Sequence, residues 1–497
     1  MVETIFGIPA LGYLSLVLWL PLIGAVGLAL VRERAARGVA LVVALAESVL
    51  AALLLLGPGA VGGSMDWLPA FGLRYALQTD ALALPFVLLA AGLLVVAVAA
   101  PPSWRAALGE RNPGPVRGYY AALLALTTGM LGVFLAGSVF LFYIFWELML
   151  LPAYYLLARF ARVDGPRIAL RFVLYTLAGG LLMLVGLLGM GAAADAYGAG
   201  FNPDALLGSL GGQIDGDTQF WLFAAILAGV AVKIPLVPFH SWQPESYAEA
   251  PAPVAVILAG VMAKTAIYVL IRFGVLVFPA GALAWQPVVA TLAVIGIVYG
   301  ALAALAAREF PRVVAYVSLS HMGFLALGVA AGTQQALAGA VLQAVNHGVI
   351  IAGLFLLAAM LERRASGARS LAAYGGWAAR WPRLATVFLL VALGALGLPG
   401  LSGFSGEFLI LLGTYRVLPW AVVGALVGVI LAAWYAVRFY QATMHGPETP
   451  AAGARADLTR AEALLLAPLL AAIVIIGLAP GLITGSLFAW LGTLRLP

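Results

Sequence analysis

The chain has 497 residues, of which 64% are hydrophobic and only 9% charged, with a formal net charge of +6. A soluble domain covers its surface with about 25% charged residues, so this is a polytopic membrane protein with no room for a large extramembranous catalytic or nucleic-acid-binding domain. The sequence contains no cysteine, which excludes disulfides, thiolate zinc sites, iron-sulfur ligation and a thiol nucleophile and leaves any redox chemistry to other chains.

In chain order, apolar runs of about 20 residues predict fourteen spanning helices, near 12–31, 38–57, 80–100, 119–137, 138–157, 168–193, 220–238, 252–275, 284–306, 312–331, 335–361, 384–415, 417–441 and 462–490. The first run lacks a small-residue cleavage pattern and reads as helix one, not as a removable signal. Between helices two and three, the segment 65–79 with Trp67, Phe71 and Tyr75 is expected to form a short hairpin lying on the membrane. Loop arginine tests the helix map independently, because a miscounted helix would scramble the sides. Loops after odd-numbered helices hold eighteen arginines, among them Arg105, Arg111, Arg162, Arg312, Arg369 and Arg455. The other side holds four, Arg74, Arg272, Arg416 and Arg495. The arginine-rich side is therefore expected in the cytoplasm and both termini outside.

The only two lysines, Lys233 and Lys264, lie inside apolar helices. An ionisable group at the bilayer centre costs about 2.5–3.5 kcal/mol on insertion scales, so it marks a specific demand. A buried lysine can release its proton, whereas arginine stays charged. Lysine therefore suits a proton carrier. Glu147 lies in SVFLFYIFWELMLLPAYYLL, Glu407 in GLPGLSGFSGEFLILLGTY, and His321 and His347 fall in helices ten and eleven. Histidine relays protons near neutrality through either ring nitrogen. Taken alone, each histidine reads equally well as a hydrogen-bonded core residue, whereas a static ion pair locking helices together is the weaker reading of Glu147 and the two lysines, given what burying the pair costs. Glu47 in helix two reads as structural, and Arg171 and Arg438 as phosphate anchors that snorkel to the interface.

Two helices are expected to be broken. Helix seven carries Pro235 and Pro238 directly after Lys233, and helix twelve carries Pro399 among four glycines just before Glu407. Each proline removes a backbone donor, and discontinuous helices at mid-membrane mark transport sites. Lys233 and Glu407, Glu147 and His321, and Lys264 and Arg438 each stand 174 residues apart. That spacing predicts an internal repeat: helices one to three over 1–118, a five-helix unit over 119–275, a second over 276–441, and helix fourteen over 442–497. Five helices per unit is an odd number, so the two units are expected to be inverted.

The stretch VKIPLVPFHSWQPESYAEAPAPVAVILAGVMAKTAIYVLIR, with VVAYVSLSHMGF and LPGLSGFSGEFLIL, resembles the antiporter-like subunits of respiratory complex I over nearly the whole chain. Glutamate at 407, where sister types carry lysine, and an end soon after helix fourteen are similar to the M type, the homologue of mitochondrial subunit four. Ser241 and Gln243 depart from commoner residues and change nothing ionisable. The resemblance implies proton pumping driven by quinone reduction elsewhere in a bacterial inner-membrane complex, with the other membrane-arm subunits, sister subunits included, as partners. It implies that Glu147 pairs with Lys233, that a neighbouring subunit perturbs this pair, and that a proton then passes by water and His321 or His347, through Lys264, to Glu407 and outward. It implies no NADH, flavin, quinone, iron-sulfur or metal site in this chain. The motifs are shared with subunits of multisubunit sodium/proton antiporters and membrane-bound hydrogenases. A non-transporting scaffold, by contrast, predicts that Lys233 and Glu147 tolerate apolar replacement.

Overall fold

A computed structural model describes residues 4–57, 59–68, 73–100, 115–199, 201–207, 213–449, 456–494 and 496. Phe71, Arg105, Arg111, Arg455 and Arg495 lie outside them. Among the described residues, eleven helices are long and apolar enough to cross a membrane. The other expected crossings fall on Ala83–Ala99, on Gly216–Lys233 with Gln243–Glu249, and on Pro382–Leu396 with Ser402–Tyr415. Helix eight, Ala252–Val275, is buried along its most apolar stretch, and helices ten (Phe310–Ala331) and eleven (Gln334–Arg364) nearly so. Helices that are apolar all round belong in the centre, and these three form it. Helices two and fourteen turn most of their surface outward.

Local chemistry explains where the helices stop. Helix four ends at Leu135 and helix five begins at Val139, where the Ser138 hydroxyl accepts the Leu141 N–H, a standard N-cap. Helix five is interrupted at Met149, because Pro152 cannot donate to the Leu148 carbonyl. Helix seven stops at Lys233 and resumes at Gln243, with Pro235 and Pro238 between. Helix twelve closes at Gly397, whose φ of +76° is the left-handed cap that glycine adopts without cost. It restarts at Ser402 after Pro399 and Gly400.

Three features differ from expectation. Helix fourteen is not continuous over 462–490: it divides into Arg460–Leu478 and Gly481–Leu491, since Pro480 breaks the ladder and pushes Ala479 out of the helical region. Helix eight contains π-helical turns at Leu258–Met262 and Leu270–Val275. The hairpin pairs Val61–Leu68 antiparallel with Leu73–Thr79, longer than expected. It leans on helix one, where the Tyr75 hydroxyl meets Ser15 Oγ at 3.0 Å and accepts Trp19 Nε1–H at 2.9 Å.

Ion pairs gather on two opposite ends of the helices. Loops after odd-numbered helices meet through Arg117–Glu33 (3.3 Å), Arg162–Glu362, Arg369–Glu249 (2.8 Å) and Arg364–Glu462 (2.9 Å). At the other end Arg272 pairs with Asp80 at 2.6 Å. Helix starts pair off as Val116 with Pro279, Val139 with Phe310, Gly165 with Gln334, Gly216 with Pro382 and Ala252 with Pro419, separations of 163, 171, 169, 166 and 167 residues. The 174-residue spacing of charged residues is therefore not the spacing of the helices. Lys233 is the last residue of its half-helix before the break, whereas Glu407 sits inside the half-helix after it, so the two are not structural counterparts.

Candidate functional site

The buried ionisable groups form two clusters along the molecule. The larger begins at Lys264, which is fully buried at the start of the regular turns that follow the first π turn. A π turn leaves carbonyls without their usual i→i+4 partner, and the Lys264 ammonium donates to one of them, the Ala259 carbonyl. It also contacts His347 Nδ1 at 2.5 Å. The rings of His347 and His321 follow, with centroids 5.6 Å apart. His321 Nδ1 stands 3.2 Å from Glu407 Oε1, a close contact whose angle does not make a hydrogen bond, and its Nε2 meets the Tyr435 hydroxyl at 3.1 Å. Gln343 Nε2 donates to Glu407 Oε1 at 3.0 Å, and Asn346 Nδ2 bridges to Gln343 Oε1 and to the Ser402 carbonyl at 2.6 Å. All of these residues are buried.

Helix breaks build the Glu407 end. Gly397 passes Glu407 Oε2 so closely that an added Cβ would stand 3.0 Å away, and a Cβ at Gly406 would stand 2.5 Å from Gln343 Oε1. The unwound segment is thus a notch for a carboxylate and its amide partner. The order of groups differs from the expected route: both histidines lie between Lys264 and Glu407, not ahead of Lys264. Lys264 projects toward helix eleven, because the π turn changes which face of helix eight it occupies.

The second cluster is sparser. Lys233 Nζ is buried without any hydrogen-bond partner, and Glu147 Oε1 likewise. The two are not in ion-pair contact, although the resemblance implies a pair. Lys233 instead lies over the indole of Trp146, its Nζ 3.6 Å from the ring centroid. The Tyr143 hydroxyl lies near enough to Glu147 to bear on its charge. On helix six, Gly179 and Gly180 make the room: a Cβ on Gly180 would overlap Glu147 Oε1, and one on Gly179 would crowd Val232 at 3.1 Å.

Other singled-out residues lie elsewhere. Glu47 is fully buried on the Ala40, Ala44 and Ala51 face of helix two, with neither oxygen partnered. Arg171 pairs with Glu245 at 2.9 Å, so its charge is held by protein and not by the interface. Exposed Arg438 donates to the Leu305 carbonyl at 3.2 Å. The Arg272–Asp80 pair is tied to the core, since Arg272 Nε donates to the Tyr268 hydroxyl and Tyr268 donates to the Phe134 carbonyl. Sequence reasoning missed Trp146, Gly180, Gln343, Asn346 and Tyr435. Gln343 and Asn346 were detectable as uncharged polar residues on the His347 side of an apolar helix; Trp146, Gly180 and Tyr435 carried no such signal.

A series of buried side chains that each accept or donate a proton, set one after another at short range, can pass a proton by successive transfers. The family model described as "NADH:quinone oxidoreductase/Mrp antiporter, TM" matches residues 136–432. NADH-quinone oxidoreductase subunit M of Mycobacterium tuberculosis (strain CDC 1551 / Oshkosh) is 34% identical over 93% of this chain and 90% of its own length. A chain of respiratory complex I from Thermus thermophilus superposes with a TM-score of 0.85 at 31% identity, covering 96% of this chain and 97% of that one. A chain of the Mrp complex from Dietzia sp. shares the fold alone, with a TM-score of 0.81 at 22% identity over 96% of this chain and 51% of its own. This chain therefore belongs to the NADH:quinone oxidoreductase/Mrp antiporter membrane family, and within it to the subunit M proteins.

Proposed function

We propose that this chain translocates protons across a bacterial plasma membrane as an antiporter-like subunit of an NADH:quinone oxidoreductase, with the redox centres held by other subunits. The observation that carries the reading is the contact series Lys264, His347, His321 and Glu407. In this reading the arginine-rich side faces the cytoplasm and both termini face outward. A cleft of about 480 Å³ lined by Arg162, Glu245, Glu249 and Arg369 lies on the uptake side. Glu147 governs whether Lys233 is held or freed, Lys264 passes the proton through the two histidines, and Glu407 delivers it toward the outside. Helices four to eight and nine to thirteen act as inverted units, each serving one side. The nearly constant separation of their helix starts supports that division.

The test uses the assembled complex in inverted membrane vesicles. Lys264→Ala is expected to abolish NADH-driven acidification while the complex still assembles, because the series loses its first member. Undiminished acidification overturns the reading and leaves a scaffold. Acidification that requires sodium transfers the chain to the antiporter reading.

A further inference from the structure

We propose that Trp146 is the alternative partner of Lys233: its indole face holds the ammonium whenever the Glu147 carboxylate is disengaged. The proposal rests on the proton-translocating reading above and adds a positioning residue to it. Lys233 Nζ is buried, has no oxygen or nitrogen partner, and sits 3.6 Å from the centre of the Trp146 ring. An ammonium left bare in an apolar core is costly, and among aromatic faces indole attracts a cation most strongly, above all where water is absent. The adjoining residue on the same helix is Glu147, with Oε1 unpartnered. Helix five thus carries both partners for one lysine at consecutive positions.

The surroundings fit an exchange between them. Helix five is interrupted at Met149, two residues beyond Glu147, where the missing proline donor loosens the ladder, and such a break is where a helix turns or shifts. Opposite, Gly180 leaves the space that both side chains share, since its added Cβ would meet Glu147 Oε1 and stand 3.5 Å from Trp146 Nε1. Among the described residues, the other titratable groups nearby are engaged elsewhere. On helix eight Lys264 is held by His347, and Tyr268 and Arg272 by each other and Asp80. On helix six Arg171 is held by Glu245 and Tyr175 by Ser241, and on helix nine Tyr299 faces His240. Tyr143 acts on Glu147 itself. The consequence is a lysine that stays loaded while its ion pair is open, so the proton leaves along the axis and does not leak back at once.

The test is site-specific replacement of Trp146 by tryptophans of increasing fluorination in the assembled complex, which weakens the ring face while keeping its shape. The pH profile of NADH-driven pumping in vesicles is read. The alkaline limb of the rate is expected to move stepwise to lower pH, by on the order of one pH unit, or tenfold in proton activity, between native and fully fluorinated rings. Trp146→Leu is expected to move it at least as far and Trp146→Phe less. An alkaline limb that stays in place across the fluorinated series overturns the proposal, whatever the Leu variant does to assembly. Lys233→Ala is the control: if it pumps normally, the translocation reading itself fails. If it is inactive and the fluorinated series is flat, only the role of Trp146 fails.

Discussion

The two clusters of buried ionisable groups are built on opposite terms. From Lys264 to Glu407 the groups follow one another at short range, and amide and hydroxyl side chains fill in around them, while His347 Nε2 and His321 Nδ1 keep no hydrogen-bond partner. Around Lys233 and Glu147 the ammonium and one carboxylate oxygen have no polar partner at all. A polar network knit largely by hydrogen bonds in a low-dielectric core favours one arrangement, whereas a buried ammonium and carboxylate with fewer such bonds respond more to small movements. In the proposed reading, the difference teaches that conduction and control are separated: the connected cluster carries, and the sparse one decides.

Lys233→Arg should break the comparison most severely. A guanidinium fills the same place but keeps its proton, so NADH-driven acidification of vesicles is expected to stop with assembly intact; retained pumping would reduce both clusters to passive polar cores. Gly180→Ala comes next. The added methyl occupies the site of Glu147 Oε1, and pumping is expected to fall about tenfold, equivalent to ~1.4 kcal/mol. No comparable loss is expected from Gly485→Ala, whose added methyl meets open space. Gln343→Leu removes a donor from Glu407 but leaves His321 and Tyr435 in place. A roughly fivefold slower rate, about 1 kcal/mol, is expected, and a loss as complete as that of Lys233→Arg would show that the connected cluster has no redundancy. Thr459→Ala should have the smallest effect. It removes the capping box with Glu462 at the start of helix fourteen, costing about 1 kcal/mol of stability, seen as a lower thermal midpoint of the solubilised complex with pumping per assembled complex unchanged.

Much of the sparse cluster is legible in the sequence because charge in an apolar run is conspicuous: Glu147 and Lys233, like Lys264 in the connected one, stand out by the cost of burying them. Their partners do not. Trp146 looks like any other apolar residue of helix five, and Gly180 acquires meaning only when helix six is laid against Glu147. The breaks at Pro235 and Pro399 are readable from proline chemistry. The one at Pro480 is masked, because the apolar run continues through it. The π turns of helix eight leave no trace in the composition of LAGVM and LIRFGV; the first packs against helices three and eleven and the second against helices seven and nine. Equal spacing of charges suggests residue-by-residue counterparts, but the inverted units, as proposed, correspond helix by helix, and loop lengths shift the residues within them.

The π turn before Lys264 also bears on how such a chain tolerates length changes. A wide turn accommodates one extra residue without altering the flanking helix, so deleting a single residue between Leu258 and Met262 would restore ordinary winding. The helix on either side would keep its facing, and Lys264 would stay opposite His347. What the deletion would take away is the Ala259 carbonyl freed by the wide turn, which receives the Lys264 ammonium. A residue added or removed in the regular turns beside it has no such slack, and would rotate Lys264 by about 100° away from His347.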